Sequence, residues 1–189
     1  MASIPYVDEN NPEARDALAF AIERRGAIGT LHRQMAHVPA LVEAFEAYST
    51  MVRSKLPLEF GLFGLLVLRT VQAIDDPYQW RRCVPIARRG GVPDAQILEL
   101  WNWRASGQFD ARQKAALAIV DEHCIEKPER PIAAEAARSQ LSEAEIVAVC
   151  TVIGWYLVTA AFTKPLRLVE DDPLEPPEPC AIDARSRAA

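Results

Sequence analysis

The stretch DDPYQWRRCVPIARRGG, residues 75–91, sets an amide, an indole and a thiol along one helix: Gln79, Trp80 and Cys83. A thiol ordinarily titrates near pH ~8.5, so Cys83 can act as a proton donor or, if its pKa is depressed, as a nucleophile. Gln79 can orient a substrate oxygen, and the phenol of Tyr78 can handle a proton. Outside this stretch, Arg69 could hold an anion through its guanidinium fork. Tyr78 and Tyr156 could offer phenols to a ligand, and Trp155 and Trp80 could wall an apolar pocket. The candidate catalytic residues are therefore Cys83, Gln79 and Tyr78. The candidate substrate-binding residues are Trp80, Arg69, Tyr156 and Trp155.

Each candidate has a structural alternative. Asp76 and Gln79 sit where a capping box falls at a helix start. Cys83 beside Trp80 and Val84 can be a small apolar filler. Arg69 can belong to an intersubunit or intrahelical ion pair. The tyrosines and tryptophans can be core aromatics.

The elements that must hold these residues read as helices, with no strand alternation or hairpin signal. Asn11 and Pro12 open a first helix that Gly26 can end. A short segment, GTLHRQMAH, follows, and Pro39 opens another helix. The run 57–74 is apolar on most sides. Asp76 and Pro77 start the helix of interest, and Gly90 and Gly91 stop it. Trp80, Cys83, Val84 and Ala87 have the spacing of a buried stripe. Pro85 removes one backbone hydrogen bond within it. Later helices begin at Pro93, at Asp110 and near Glu129. The last begins at Ser142, where S-x-x-E forms a capping box. Its body, uncharged from Ile146 to Phe162, falls short of the ~20 residues of a membrane span and reads as a central buried helix. The domain is expected over 1–170, with a Pro- and charge-rich tail at 171–189.

At 189 residues and a net charge of −5, without a basic block, the chain does not suggest a nucleic-acid partner or a membrane protein. The four cysteines form no CxxC pair, and the three histidines have no metal-ligand spacing, so no metal site is expected. The opening MASIPYVDENNPEARD lacks a secretory pattern, which points to the cytoplasm and free thiols.

The text LFGLLVLRTVQAIDDPYQWRRCVPIARRGGV, followed by FDARQKAALAIVDE and LSEAEIVAVCTVIGWYLVTAAF, resembles the carboxymuconolactone decarboxylase and alkylhydroperoxidase-like (AhpD-like) family. In that family a helix of the form RELVILRVA precedes YEWxxHxPIAR. The resemblance runs over roughly residues 28–170. It implies an all-α bundle of about seven to eight helices that assembles as a trimer or hexamer, with pockets between helices. It also implies a small-molecule substrate and no cofactor. Position by position, the family histidine falls on Cys83, the glutamate of YEW on Gln79 and the acid of the preceding helix on Gly64. A frequent asparagine falls on Leu157 and an arginine on Ala161. The peroxidase cysteine pair falls on Asp76 and Gln79, so both sulfurs are missing.

Three functions follow as expectations. The first is a cofactor-independent lyase acting on a small organic acid, lactone or related carbonyl compound. The second is a noncatalytic oligomeric binding or scaffold protein that kept the fold and lost the site. The third is a peroxide-reducing enzyme using Cys83 alone.

Overall fold

The computed structural model describes residues 2–169; the tail expected at 171–189 lies outside them. Among the described residues there is no strand. The helices are α1 Arg15–Arg25, α2 Thr30–Met35, α3 Pro39–Ser54, α4 Phe60–Ala73, α5 Pro77–Arg89, α6 Asp94–Glu99, α7 Ala111–Asp121, α8 Ala133–Ala137 and α9 Glu143–Thr163. A 3-10 turn, Leu100–Asn102, continues α6, and a π turn, Glu122–Glu126, continues α7. The count exceeds the expected seven to eight because α2, α6 and α8 are pieces of only five or six residues. The chain forms two compact units: residues 1–55 with the segment from Phe162, and Leu56–Ala161.

In the first unit, α1 begins later than Asn11 and Pro12 suggest. Asn11 organises a preceding turn: its Oδ1 accepts the Glu13 N–H at 2.9 Å, and its carbonyl accepts the Arg15 N–H at 2.9 Å. Gly26 ends α1 as expected, at φ +79°, with its N–H donating to Ile22 O at 2.7 Å. Only glycine takes that left-handed position without strain. Leu18, Met35, Val42 and Val52 fill the core. Within it, His32 Nε2 lies 2.8 Å from Glu46 Oε1, while the Gly29 N–H donates to His32 Nδ1 at 3.2 Å. Nδ1 therefore accepts from the backbone while Nε2 faces the Glu46 carboxylate. Arg25 reaches the same carboxylate at 3.0 Å. Burial pushes the Glu46 carboxyl up, but His32 and Arg25 outweigh it and hold the group below its usual range. His37 is tied to Pro5 O at 2.9 Å, in the structural role its place before Pro39 suggests.

In the second unit, α4 is buried without a break from Leu62 to Val71, which is why its sequence reads as apolar on most sides. It packs against α5 and α7. The carboxylate of Glu122 starts α8 by accepting the N–H groups of Ile132 and Ala133 at 2.6–2.9 Å. These are donors that a helix start otherwise leaves unpaired. Asp110 caps α7 in a box with Gln113, and Ser142 boxes α9 with Glu145. α9 buries Val149, Val152, Ile153, Trp155 and Tyr156.

Glu145 also pairs with Arg112 of α7. The Arg112 guanidinium, then the N–H and hydroxyl of Ser142, hold the Glu145 carboxyl down at about 2. A folded-state pKa below the unfolded value means the contribution is complete above the usual glutamate range. It is lost as pH falls toward the folded value. The stability gap between the wild type and Glu145→Gln should therefore be constant above pH ~5 and shrink from there toward pH ~2. Urea unfolding of both proteins across that range measures it; a gap that does not change would rule the linkage out.

Candidate functional site

Helix α5 starts where sequence places it. The Gln79 N–H donates to Asp76 Oδ1 at 3.0 Å, and Pro77 occupies the first turn. The second half of a capping box is absent. The Asp76 N–H donates instead to Val71 O at 3.0 Å, and Gln79 Nε2 has no hydrogen-bond partner. Gln79 is only 5 % exposed, so a two-proton donor is held in the interior with nothing to bond. Such a group costs about 1–3 kcal/mol.

The buried line of α5 is Gln79, Cys83 and Ala87, with Tyr78 beside it. The expected line through Trp80 and Val84 is one residue out of register, and both are half-buried. The reason lies at the helix start: with Asp76 buried as the cap, Gln79 falls on the inner face and Trp80 is carried toward the rim. The chemically richer residue thus takes the deeper place.

One turn on from Gln79, Cys83 is 3 % exposed, and its Sγ lies 3.8 Å from the hydroxyl of Tyr156 on α9. Trp155 is buried next to Tyr156 in the chain. Sulfur and phenol are within donor–acceptor range, so a proton can pass between them. The Arg82 guanidinium sits 5.5 Å from the centroid of the Tyr78 ring, a cation–π distance. Cys83 and Tyr156 therefore meet, Gln79 lies one turn before Cys83 on the same buried line, and Tyr78 stands under Arg82.

Arg69 has other work. Its Nε donates to Asp121 Oδ1 at 2.6 Å and its Nη1 to Gln72 Oε1 at 2.6 Å. Its ion pair is neither intersubunit nor intrahelical but joins α4 to α7. This leaves its guanidinium with no open edge of the kind a bidentate anion needs.

The position that resemblance assigns to an acid, Gly64, is closed by packing. A Cβ there would meet Val92 Cγ2 at 2.9 Å and Ala87 Cα at 3.2 Å. The glycine is what lets α4 and α5 approach. A cavity of about 270 Å³ in the same unit is lined by Glu59, Leu62, Val92, Gln96, Asp110 and Arg112, among others, and by none of the predicted site residues. Sequence reasoning did not find it. The available signal was the clustering of helix starts at residues 59–62, 93–96 and 110–113. Among the described residues, no group of three or more His, Cys, Asp or Glu side chains is placed to hold a metal ion.

Residues 39–122 match the carboxymuconolactone decarboxylase family model. No curated protein matches the chain. Among solved structures, the debrominase Bmp8 superposes with a TM-score of 0.75 at 12% identity, covering 100% of both chains. That protein was crystallised with one cysteine replaced by alanine and with 2,3,4-tribromopyrrole bound. An uncharacterized peroxidase-related protein from Ralstonia eutropha JMP134, described as an alkylhydroperoxidase AhpD core, has a TM-score of 0.74 at 16% identity. The match covers 90% of this chain and 93% of that one. A protein of unknown function from Agrobacterium tumefaciens reaches 23% identity and a TM-score of 0.66, over 75% of this chain and 96% of its own. At these identities the likeness concerns the fold. Residues 39–122 thus match the carboxymuconolactone decarboxylase family model, within a chain that has the all-helical fold of the AhpD-like structures.

Proposed function

We propose that the chain is a cofactor-independent lyase of the carboxymuconolactone decarboxylase type. It acts on a small organic acid, lactone or related carbonyl compound at Gln79, Cys83 and Tyr156. The observation that carries this is the unpaired, buried Nε2 of Gln79, one turn from a thiol that is 3.8 Å from a phenol. A substrate oxygen accepting from Nε2 would satisfy the donor. A neighbour of the same fold holding a halogenated pyrrole supports a small unsaturated ring compound as the ligand.

Loss of CO2 breaks a carbon–carbon bond and leaves its electron pair on the adjacent carbon, delocalised onto the conjugated oxygen. Gln79 donates to that oxygen as its charge grows. The Cys83 thiol gives its proton to the carbon: the S–H bond breaks, a C–H bond forms, and a thiolate remains. The Tyr156 hydroxyl returns a proton to the sulfur and is itself reprotonated from solvent.

The test measures CO2 release from a panel of lactone acids and β-keto acids. Cys83→Ala should lower kcat by about 10²–10⁴, the range for a general acid. Gln79→Ala should lower it by about 10²–10³, the range for a donor to a developing oxyanion. Gln79→Leu should leave stability unchanged or raise it by up to about 3 kcal/mol, because it removes a buried donor that has no partner. Turnover unchanged in both alanine variants would remove these roles.

A second reading, a binding protein without catalysis, is favoured by one observation: the place of the family acid is filled by the contact of Gly64 with Ala87 and Val92. The same panel separates the two. A binder raises its melting temperature with a ligand, depends on Gln79 for it, and releases no CO2.

A further inference from the structure

We propose that the cavity bounded by the starts of α4, α6 and α7 binds a small compound that carries a primary ammonium group beside a carbonyl or hydroxyl oxygen. The cavity lies wholly within the second unit and has a volume of about 270 Å³. That is just under the ~300–1,000 Å³ of pockets for drug-sized ligands, so its occupant has only a few non-hydrogen atoms. None of Gln79, Cys83 and Tyr156 lines it. Binding here is therefore additional to the lyase chemistry proposed above and does not rest on it.

Two glutamines that line the cavity set its hydrogen bonding. Gln96 is 8% exposed. Its Nε2 donates to Gln108 O at 2.7 Å and to Gln113 Oε1 at 3.0 Å. Both amide protons are therefore used inside the chain, which fixes the orientation of the group. Among the described residues nothing donates to its Oε1, so a buried carbonyl oxygen keeps its acceptor capacity. Gln113 is fixed the opposite way. Its Oε1 accepts from Gln96 and from the Asp110 N–H at 3.2 Å, which leaves its Nε2 as an unused donor. One braced pair of amides thus supplies an acceptor and a donor to the same cavity.

Charge selects the occupant. The lining holds two carboxylates, Glu59 and Asp110, against a single cation, Arg112. Arg112 is already engaged by the Glu145 carboxylate and by Gln140 O. Its bond with Glu145 holds its proton more tightly than usual against the cost of burial, and Glu59 and Asp110 add smaller pulls on the same guanidinium. Glu59 makes no hydrogen bond or ion pair within the chain. Asp110 uses Oδ1 for the Gln113 N–H at 2.7 Å, which leaves Oδ2. The wall is therefore short of positive charge. An ammonium group brings that charge and three donors, for Gln96 Oε1 and the two carboxylates, while the neighbouring oxygen of the ligand accepts from Gln113 Nε2. An anion meets the same wall as repulsion, and an uncharged compound leaves the carboxylates unmatched.

The probe is glycinamide at pH ~6.5, where its amine is protonated, added to the full chain and followed by two-dimensional amide NMR. The backbone N–H groups of Gly61 and Gly91, which lie in the cavity wall, and the side-chain NH2 of Gln113 should shift saturably. A Kd of about 1 mM is what so small a ligand allows. Propionamide, which lacks the ammonium, should bind at least about tenfold more weakly, and propionate should not bind. Glu59→Gln changes an exposed side chain without a bond, so it should keep the fold and weaken glycinamide about fivefold, the upper end for an exposed charge pair. Gln113→Glu keeps the capping box with Asp110 but turns the free donor into an acceptor. It should therefore abolish the preference for glycinamide over propylamine. Gln79→Leu should change nothing. Four results would overturn the proposal: no saturable shift, equal binding of propionamide or propionate, an affinity and preference untouched by both Glu59→Gln and Gln113→Glu, or loss of the shifts in Gln79→Leu. The last would assign the binding to α5 instead.

Discussion

Asp121→Ala is expected to destabilise the chain by about 3–5 kcal/mol, the cost of leaving a buried charge without its partner. Asp121 is 5% exposed and Arg69 7% exposed. One carboxylate oxygen accepts from Arg69 Nε at 2.6 Å, and the other accepts from Trp103 Nε1 at 3.0 Å. Arg104 reaches the same oxygen at 3.5 Å from the half-open side. Three segments of the second unit therefore meet on this one carboxylate: α4, the turn after α6, and α7. Removing it strands a guanidinium edge and an indole N–H together. Asp121→Asn keeps the shape but leaves Arg69 without its counter-charge and turns an amide NH2 toward one of the two donors, so it should cost a comparable amount. Urea unfolding of the two variants measures both costs. Equal stability of wild type and alanine variant would show that the network holds nothing together.

This network bears on what the sequence could tell. The helical class was legible because apolar spacing, N-cap residues and glycine stops recur along the chain. Those cues are local, and they placed the Asp76 start of α5 and the Ser142 start of α9 at the observed residues. The partner of Arg69 was not legible. It depends on α4 and α7 lying side by side, and the two residues are 52 apart in sequence. The same limit applies to Cys83 and Tyr156, which are 73 apart: each could be singled out as chemically useful, but their proximity is a tertiary fact. The register of the α5 stripe was missed for a smaller reason. Hydrophobicity favours Trp80 for the inner face, whereas the buried Asp76 cap fixes the helix rotation and puts Gln79 there. A polar residue then occupies an apolar slot with its donor unpaired, and that mismatch is what marks it.

Gly64→Glu, which restores the acid that the family pattern places in this helix, is expected to unfold the second unit rather than rebuild a proton donor. Even the first added atom is too close, at 2.9 Å from Val92 Cγ2 and 3.2 Å from the Cα of Ala87. The first neighbour is a side chain that can turn; the second is backbone of α5 and can yield only if the helix moves. Gly64→Ala alone should therefore cost about 1–3 kcal/mol, the range for forcing extra volume into a packed core. That cost comes despite the gain in helix propensity, up to about 1 kcal/mol, that alanine brings over glycine. The glutamate adds to this strain the desolvation of a carboxylate that has no assigned partner there. Thermal unfolding of both variants measures the effect. If Gly64→Ala were as stable as the wild type, α4 and α5 would have room between them. A side chain could then be placed there without strain, and Gly64→Glu would be expected to fold. If it is destabilised as expected, the close contact of α4 with Ala87 and Val92 is itself the reason this fold has no room for an acid at that position.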